Sequence, residues 1–296
     1  MSDTESLPDF ARNGVNLATP RLGAEAIYAT DDFFGDKARM LADAAPVFIP
    51  DKYDEHGKWM DGWESRRRRD GGHDFCIVRL GAKGRLTGVE IDTSHFTGNY
   101  PPEASLEAAS TDDAGAANAR WTEVVSRRKL GPSARHFHAV ADRGTYTHVR
   151  LHIFPDGGVA RLRVYGEPVP EWTGSQGDST YELSALANGG RIVGYNDAHY
   201  GSVWTMLLPG RGLNMGDGWE TRRRREPGND WIIVKLGAPG TVERIEVDTA
   251  HYKGNYPDRC SVDGARLDGP DAAAIANAKW QSLLGEEKLR MDAIHV

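Results

Sequence analysis

Residues 61–101 return at 217–257, an offset of 156 (217 minus 61), with 24 of 41 positions identical. "DGWESRRRR" is answered by "DGWETRRRR", "GHDFCIVRLGAKG" by "GNDWIIVKLGAPG", and "VEIDTSHFTGNYP" by "IEVDTAHYKGNYP". Upstream, "DDFFG" at 31–35 faces "DAHYG" at 197–201, and downstream "NARW" at 118–121 faces "NAKW" at 277–280. A unit on the order of 150 residues is domain-sized rather than a solenoid repeat. The chain is therefore expected to fold as two related domains: 16–166, a Gly- and Pro-rich linker at 167–178, and 179–296.

Each unit reads as all-β. "CIVRLG" and "WIIVKLG" are short apolar runs closed by Gly. "VEIDT" and "IEVDT" alternate with period two, as a half-buried strand does. "THVRLHIFPDGGVARLRVYG" (147–166) holds two alternating segments around Pro155-Asp156-Gly157-Gly158, which predicts a hairpin. The Ala-rich stretches 114–119 and 272–278 are short and interrupted, so at most a helical turn is expected there. Such a pattern predicts tandem β-sandwiches. Val296 aligns with Phe137, so the second unit shows no counterpart of the 147–166 hairpin. Either the second sandwich is truncated or something else covers its strands.

A net charge of −7 argues against nucleic acid as partner. No apolar run is long enough to span a bilayer. The acidic N-terminus lacks a secretory pattern, and two cysteines make no disulfide framework. These features predict a soluble, cytoplasmic protein.

The repeated charged motif has three readings. It is a basic nucleic-acid patch, an ion-pair lattice, or a binding site. Its coupling to Asp, Glu and Trp in both copies opposes the first. In an extended segment Arg66 and Arg68 face one way and Arg67 and Arg69 the other, so some forks pair with protein acids and others remain for a planar anion. His95 and His251 sit at strand ends before Gly turns. Each is either a hydrogen-bonded core histidine or a group reaching a pocket to move protons. Asp61, Glu64, Asp92 and His95 are candidate ligands for a divalent metal, but no tight ligand spacing occurs. No dinucleotide, Walker or nucleophile-elbow motif is present. No cofactor is expected.

"VFIPDKYDEHGKWMDGWESRRRR", "GHDFCIVRLG", "DTSHFTGNYPP", "HIFPDGGVARLRVYG" and "NMGDGWETRRRREPGNDWIIVKLG" resemble the allantoicase family from about Asn16 to Val296. The resemblance implies two jelly-roll sandwiches similar to galactose-binding-like domains. It implies hydrolysis of allantoate to urea and ureidoglycolate in purine breakdown. It also implies a homo-oligomer, and members that continue beyond this chain's end with a second hairpin. Allantoate carries a carboxylate and two ureido groups on one carbon. Such a substrate calls for an arginine fork, N–H acceptors and a proton-transfer pair.

On that resemblance His95, His251, Glu64, Glu220, Asp61 and Asp217 are expected to be catalytic. Arg66, Arg68, Arg222, Arg224, Asp92, Asp248, Asn99 and Asn255 are expected to bind substrate. Two rivals stand beside this: a non-catalytic jelly-roll module binding a small carboxylate or sugar, and a related enzyme acting on ureidoglycolate.

Overall fold

The computed structural model describes residues 7–172, 180–201, 203–267 and 272–296. Its contacts divide the chain into two units, Met1–Trp172 and Thr173–Val296. Part of the expected linker, residues 173–178, lies outside the described residues. The strand Arg161–Pro168 runs two residues into that expected linker, because Glu167 and Pro168 still pair with Arg85 and Gly84.

Unit one is built around one 19-residue strand, Asp74–Asp92. Its first part pairs with Glu25–Ala29 on one side and Thr145–Phe154 on the other. Glu103–Ala109 and then Thr122–Lys129 extend that sheet. The last part of the long strand pairs instead with Arg161–Pro168 and Arg135–Ala139, and Val15–Asn16 closes that edge. One strand thus belongs to both layers of a sandwich.

The expected strand end at Gly81 is overturned, because the strand runs straight through it. A Cβ at Gly81 would lie 2.7 Å from Leu22, so the glycine permits close backbone packing instead of ending the strand. Between the layers lie Leu17, Val78, Ile91, Leu106, Leu151 and Leu162, all buried. Their burial supplies the hydrophobic drive for the fold.

Two further expectations are corrected. The segments around Pro155–Gly158 do not form a hairpin. Thr145–Phe154 and Arg161–Pro168 pair with opposite ends of the long strand, and Gly158–Val159 between them pairs with Trp63–Glu64. The PDGG segment is a crossing between layers. The acidic positions of "VEIDT" are also not half-exposed. Glu90 is 1% and Asp92 3% exposed. Glu90 accepts from Arg135 Nε at 2.6 Å and from the Tyr165 hydroxyl at 2.9 Å, which offsets its burial.

Among its described residues unit two is also strands and turns. Arg191–Tyr195 pairs with Ile232–Lys235, Val247–Asp248 with Ile294–His295, and Arg259–Gly264 with Gln281–Lys288. Its helix, Ala272–Ala276, is a single turn or so long. Leu186, Val203, Leu207, Tyr252 and Leu289 are buried, while Trp231 and Leu213 are exposed.

Candidate functional site

The two repeated stretches meet side by side in each unit. In unit one, Asn99 Nδ2 donates to Glu64 Oε1 at 2.6 Å. In unit two, Asn255 Nδ2 donates to Glu220 Oε1 at 2.6 Å. Glu64 is held by its backbone, which bridges to Gly35 on one side and pairs with Gly158 on the other. Trp63, fully buried, anchors the segment through Nε1 to the Asp31 carbonyl at 2.8 Å. Trp219 does the same on the Asp197 carbonyl at 2.7 Å.

Asn99 is fixed from behind, because its carbonyl accepts from Gly158 N at 2.7 Å. A Cβ at Gly158 would run into the Phe96 ring, so this approach needs a glycine. Loss of water on burial pushes the Glu64 carboxyl pKa up, and the Asn99 hydrogen bond offsets only part of that.

The histidines are not core residues. Each stands just beyond its strand with a positive φ, 70° at His95 and 68° at His251. Each occupies the third position of a turn, closed by Phe96 N to the Thr93 carbonyl in one unit and Tyr252 N to the Thr249 carbonyl in the other. A positive φ there favours Gly or Asn. His95 Nε2 lies 3.1 Å from the Pro46 carbonyl, and His251 Nε2 2.7 Å from the Gly212 carbonyl. A carbonyl only accepts, so Nε2 carries the proton in both rings.

Asp61 Oδ2 accepts from Val47 N at 2.9 Å, and Asp217 Oδ2 from Leu213 N at 2.8 Å. Asp92 and Asp248 cap the turns that carry the histidines, through Ser94 N at 2.7 Å and Ala250 N at 2.9 Å. Arg211 also forks Asp248.

The arginine run splits by register. Arg66 pairs with Asp31, and Arg68 with Asp70 and Asp74. Arg222 pairs with Asp197, and Arg224 with Asp230. These four forks are occupied by protein acids. Arg67, Arg69, Arg223 and Arg225 are exposed, and among the described residues they have no acid partner. Among the described residues no three His, Cys, Asp or Glu side chains gather as metal ligands, and no helix is long and apolar enough to cross a membrane.

The allantoicase-repeat family model matches residues 15–169 and again 181–296. The chain belongs to the allantoicase family. It is 54% identical over 292 residues to a probable allantoicase of Burkholderia mallei, covering 97% of this chain and 86% of that one. It is 52% identical over 296 residues to a probable allantoicase of Rhizobium meliloti, covering 98% and 86%. Among solved structures, the crystal structure of allantoicase from Saccharomyces cerevisiae superposes with a TM-score of 0.77 at 35% identity, covering 96% of this chain and 85% of that one.

Within this allantoicase repeat, the residue that sequence reading missed is Arg161. Its side chain is 1% exposed and pairs with Asp61 at 2.7 Å. The same guanidinium donates to the carbonyls of Ala44, Asp61 and Ala160. The available signal was an arginine in the apolar run "GGVARLRV", where a charge survives burial only if paired. Asp31 was missed as well. It serves the Arg66 fork and backbone together, although it lies 35 residues away in sequence.

Proposed function

We propose that this chain hydrolyses allantoate to ureidoglycolate and urea, a ureide-degrading step of purine breakdown. The observation that carries the reading is a half-buried glutamate, held by a repeated asparagine, in a chain of the allantoicase family. Asn99 holds Glu64 Oε1, so Oε2 is the oxygen left to carry a proton.

The chemistry needs an acid and then a base at one place. Protonated Glu64 gives its proton to one ureido nitrogen of the substrate. The C–N bond breaks with its electron pair going to that nitrogen, and urea leaves. The lone pair of the remaining ureido nitrogen stabilises the cationic carbon. Water adds to that carbon, and its proton returns to Glu64, which restores the acid. Burial shifts the Glu64 carboxyl in the direction this role favours, since desolvation makes it hold its proton more firmly than a hydrated glutamate does. The forks available to the substrate carboxylate are those of Arg67 and Arg69, which protein acids do not occupy. The same reading takes the enzyme to act in the cytoplasm, as a homo-oligomer and with no resident cofactor.

The test is urea release from allantoate, with ureidoglycolate as the comparison substrate. Glu64→Ala is expected to lower kcat by at least about a hundredfold, the low end of what one acid–base group supplies. A chelator is expected to leave turnover unchanged. Parent-like turnover in Glu64→Ala removes that residue from the mechanism. Loss on chelation, restored by a divalent ion, returns Asp61 and His95 to consideration as ligands.

A further inference from the structure

His95 and Asp61 hold the two ends of a single peptide group. The Pro46 carbonyl accepts from His95 Nε2, and the next amide, Val47 N, donates to Asp61 Oδ2. Unit two repeats this on the Gly212–Leu213 peptide, through His251 Nε2 and Asp217 Oδ2. The loops so held share little sequence: "APVFIP" at 45–50 against "GRGLNM" at 210–215. What recurs is the grip, not the loop.

Each histidine keeps a left-handed backbone to make it. Its own amide is tied down by Ser133 Oγ at 3.1 Å in one unit and Asp292 Oδ1 at 2.9 Å in the other. In unit one Phe48 of the held loop also stacks on the His95 ring, 5.9 Å between centroids at 27°.

The grip lies beside the Glu64–Asn99 hydrogen bond. Asp61 precedes Glu64 by three residues, and His95 precedes Asn99 by four. The two segments are joined at one end by the Glu64–Asn99 hydrogen bond and at the other by the shared hold on Pro46–Val47.

We infer that His95 with Asp61, and His251 with Asp217, are positioning pairs: each clamps one loop peptide bond and so fixes one wall of the ureide pocket. The inference rests on the reading of this site as the allantoate site. In it the histidine carries no proton to or from substrate. Its Nε2–H is committed to a carbonyl, and its work is to donate that one hydrogen bond.

Three variants of His95 in the full chain test this. Glutamine keeps an N–H donor but cannot titrate. Alanine removes the donor. Glycine removes the donor while suiting the positive φ, so it guards against loss of fold. Amide exchange across residues 44–50 and the pH profile of kcat are read alongside KM.

His95→Gly and His95→Ala are expected to speed exchange in the loop and to raise KM by about tenfold or more, since small misplacements of a binding wall are costly. His95→Gln is expected to keep slow exchange, a KM near the parent value and an unchanged pH profile. Loss of kcat in His95→Gln as deep as in His95→Ala, with one limb of the pH profile gone, would show proton transfer and overturn the inference. Fast loop exchange with unchanged KM would show that the loop is no wall of the site. If the parent releases no urea, the functional reading fails, while the exchange data still decide whether the clamp exists.

Discussion

Burial withdraws water from the Glu64 carboxylate and raises its pKa, with Asn99 offsetting only part of the effect. The consequence for stability has a definite sign. Below the ordinary glutamate value of 4.5 the group is protonated in both folded and unfolded chains, and its full contribution is present. As pH rises through the higher folded value, ionisation is harder in the fold than in the unfolded chain, and that contribution is lost. Glu64→Gln cannot ionise and still offers Asn99 an acceptor. Its Tm is therefore expected to gain on the parent as pH climbs from below 4.5 toward neutrality. A Tm difference that stays flat over that window would mean the carboxylate remains hydrated. The sequence could mark Glu64 as repeated. It could not mark it as the raised one, because what desolvates it is contributed by the fold around it.

At the level of elements, the decisive object is the strand Asp74–Asp92, which serves both layers. Its apolar runs were legible at once. Its continuity was not, because glycines inside a strand look like ends. Gly81 lets the Leu22 turn press against the strand backbone. Gly81→Ala puts a methyl 2.7 Å from Leu22, a contact the backbone cannot relieve freely. A loss of about 1–3 kcal/mol is expected in denaturant unfolding, in line with overpacking elsewhere. An unchanged midpoint would show that the Leu22 turn yields. The PDGG segment misled for a related reason. Turn chemistry predicts a reversal, but whether the flanking strands pair with each other depends on what else lies within reach. Here Trp63–Glu64 takes Gly158–Val159, and the strands on either side go to different layers.

Across the whole molecule, two copies of one motif sit in unequal surroundings. Around Glu64, Gly158–Val159 adds a strand on one side, and the Asn99 carbonyl is tied to Gly158. Around Glu220 the backbone carbonyl accepts from His199 N and Tyr200 N, as Glu64's does from Phe34 N and Gly35 N, but among the described residues no strand pairs with it on the other side, and its partner Asn255 is exposed. Exposed groups keep their hydration and gain less from a preorganised site. Glu220→Ala is accordingly expected to retain most of the parent turnover where Glu64→Ala loses it. Equal losses in the two would mean that both repeats act together. By itself the sequence determined the duplication, the all-β character, the family, and which Asp, Glu, His, Asn and Arg recur, because repeated residues and period-two patterns are local facts. Only the tertiary structure decided which arginine forks are occupied, that Arg161 lies buried under Asp61, and that the histidines hold a loop peptide. Each of those depends on partners drawn from distant segments, and a fork or an imidazole is committed or free only by what the fold brings to it.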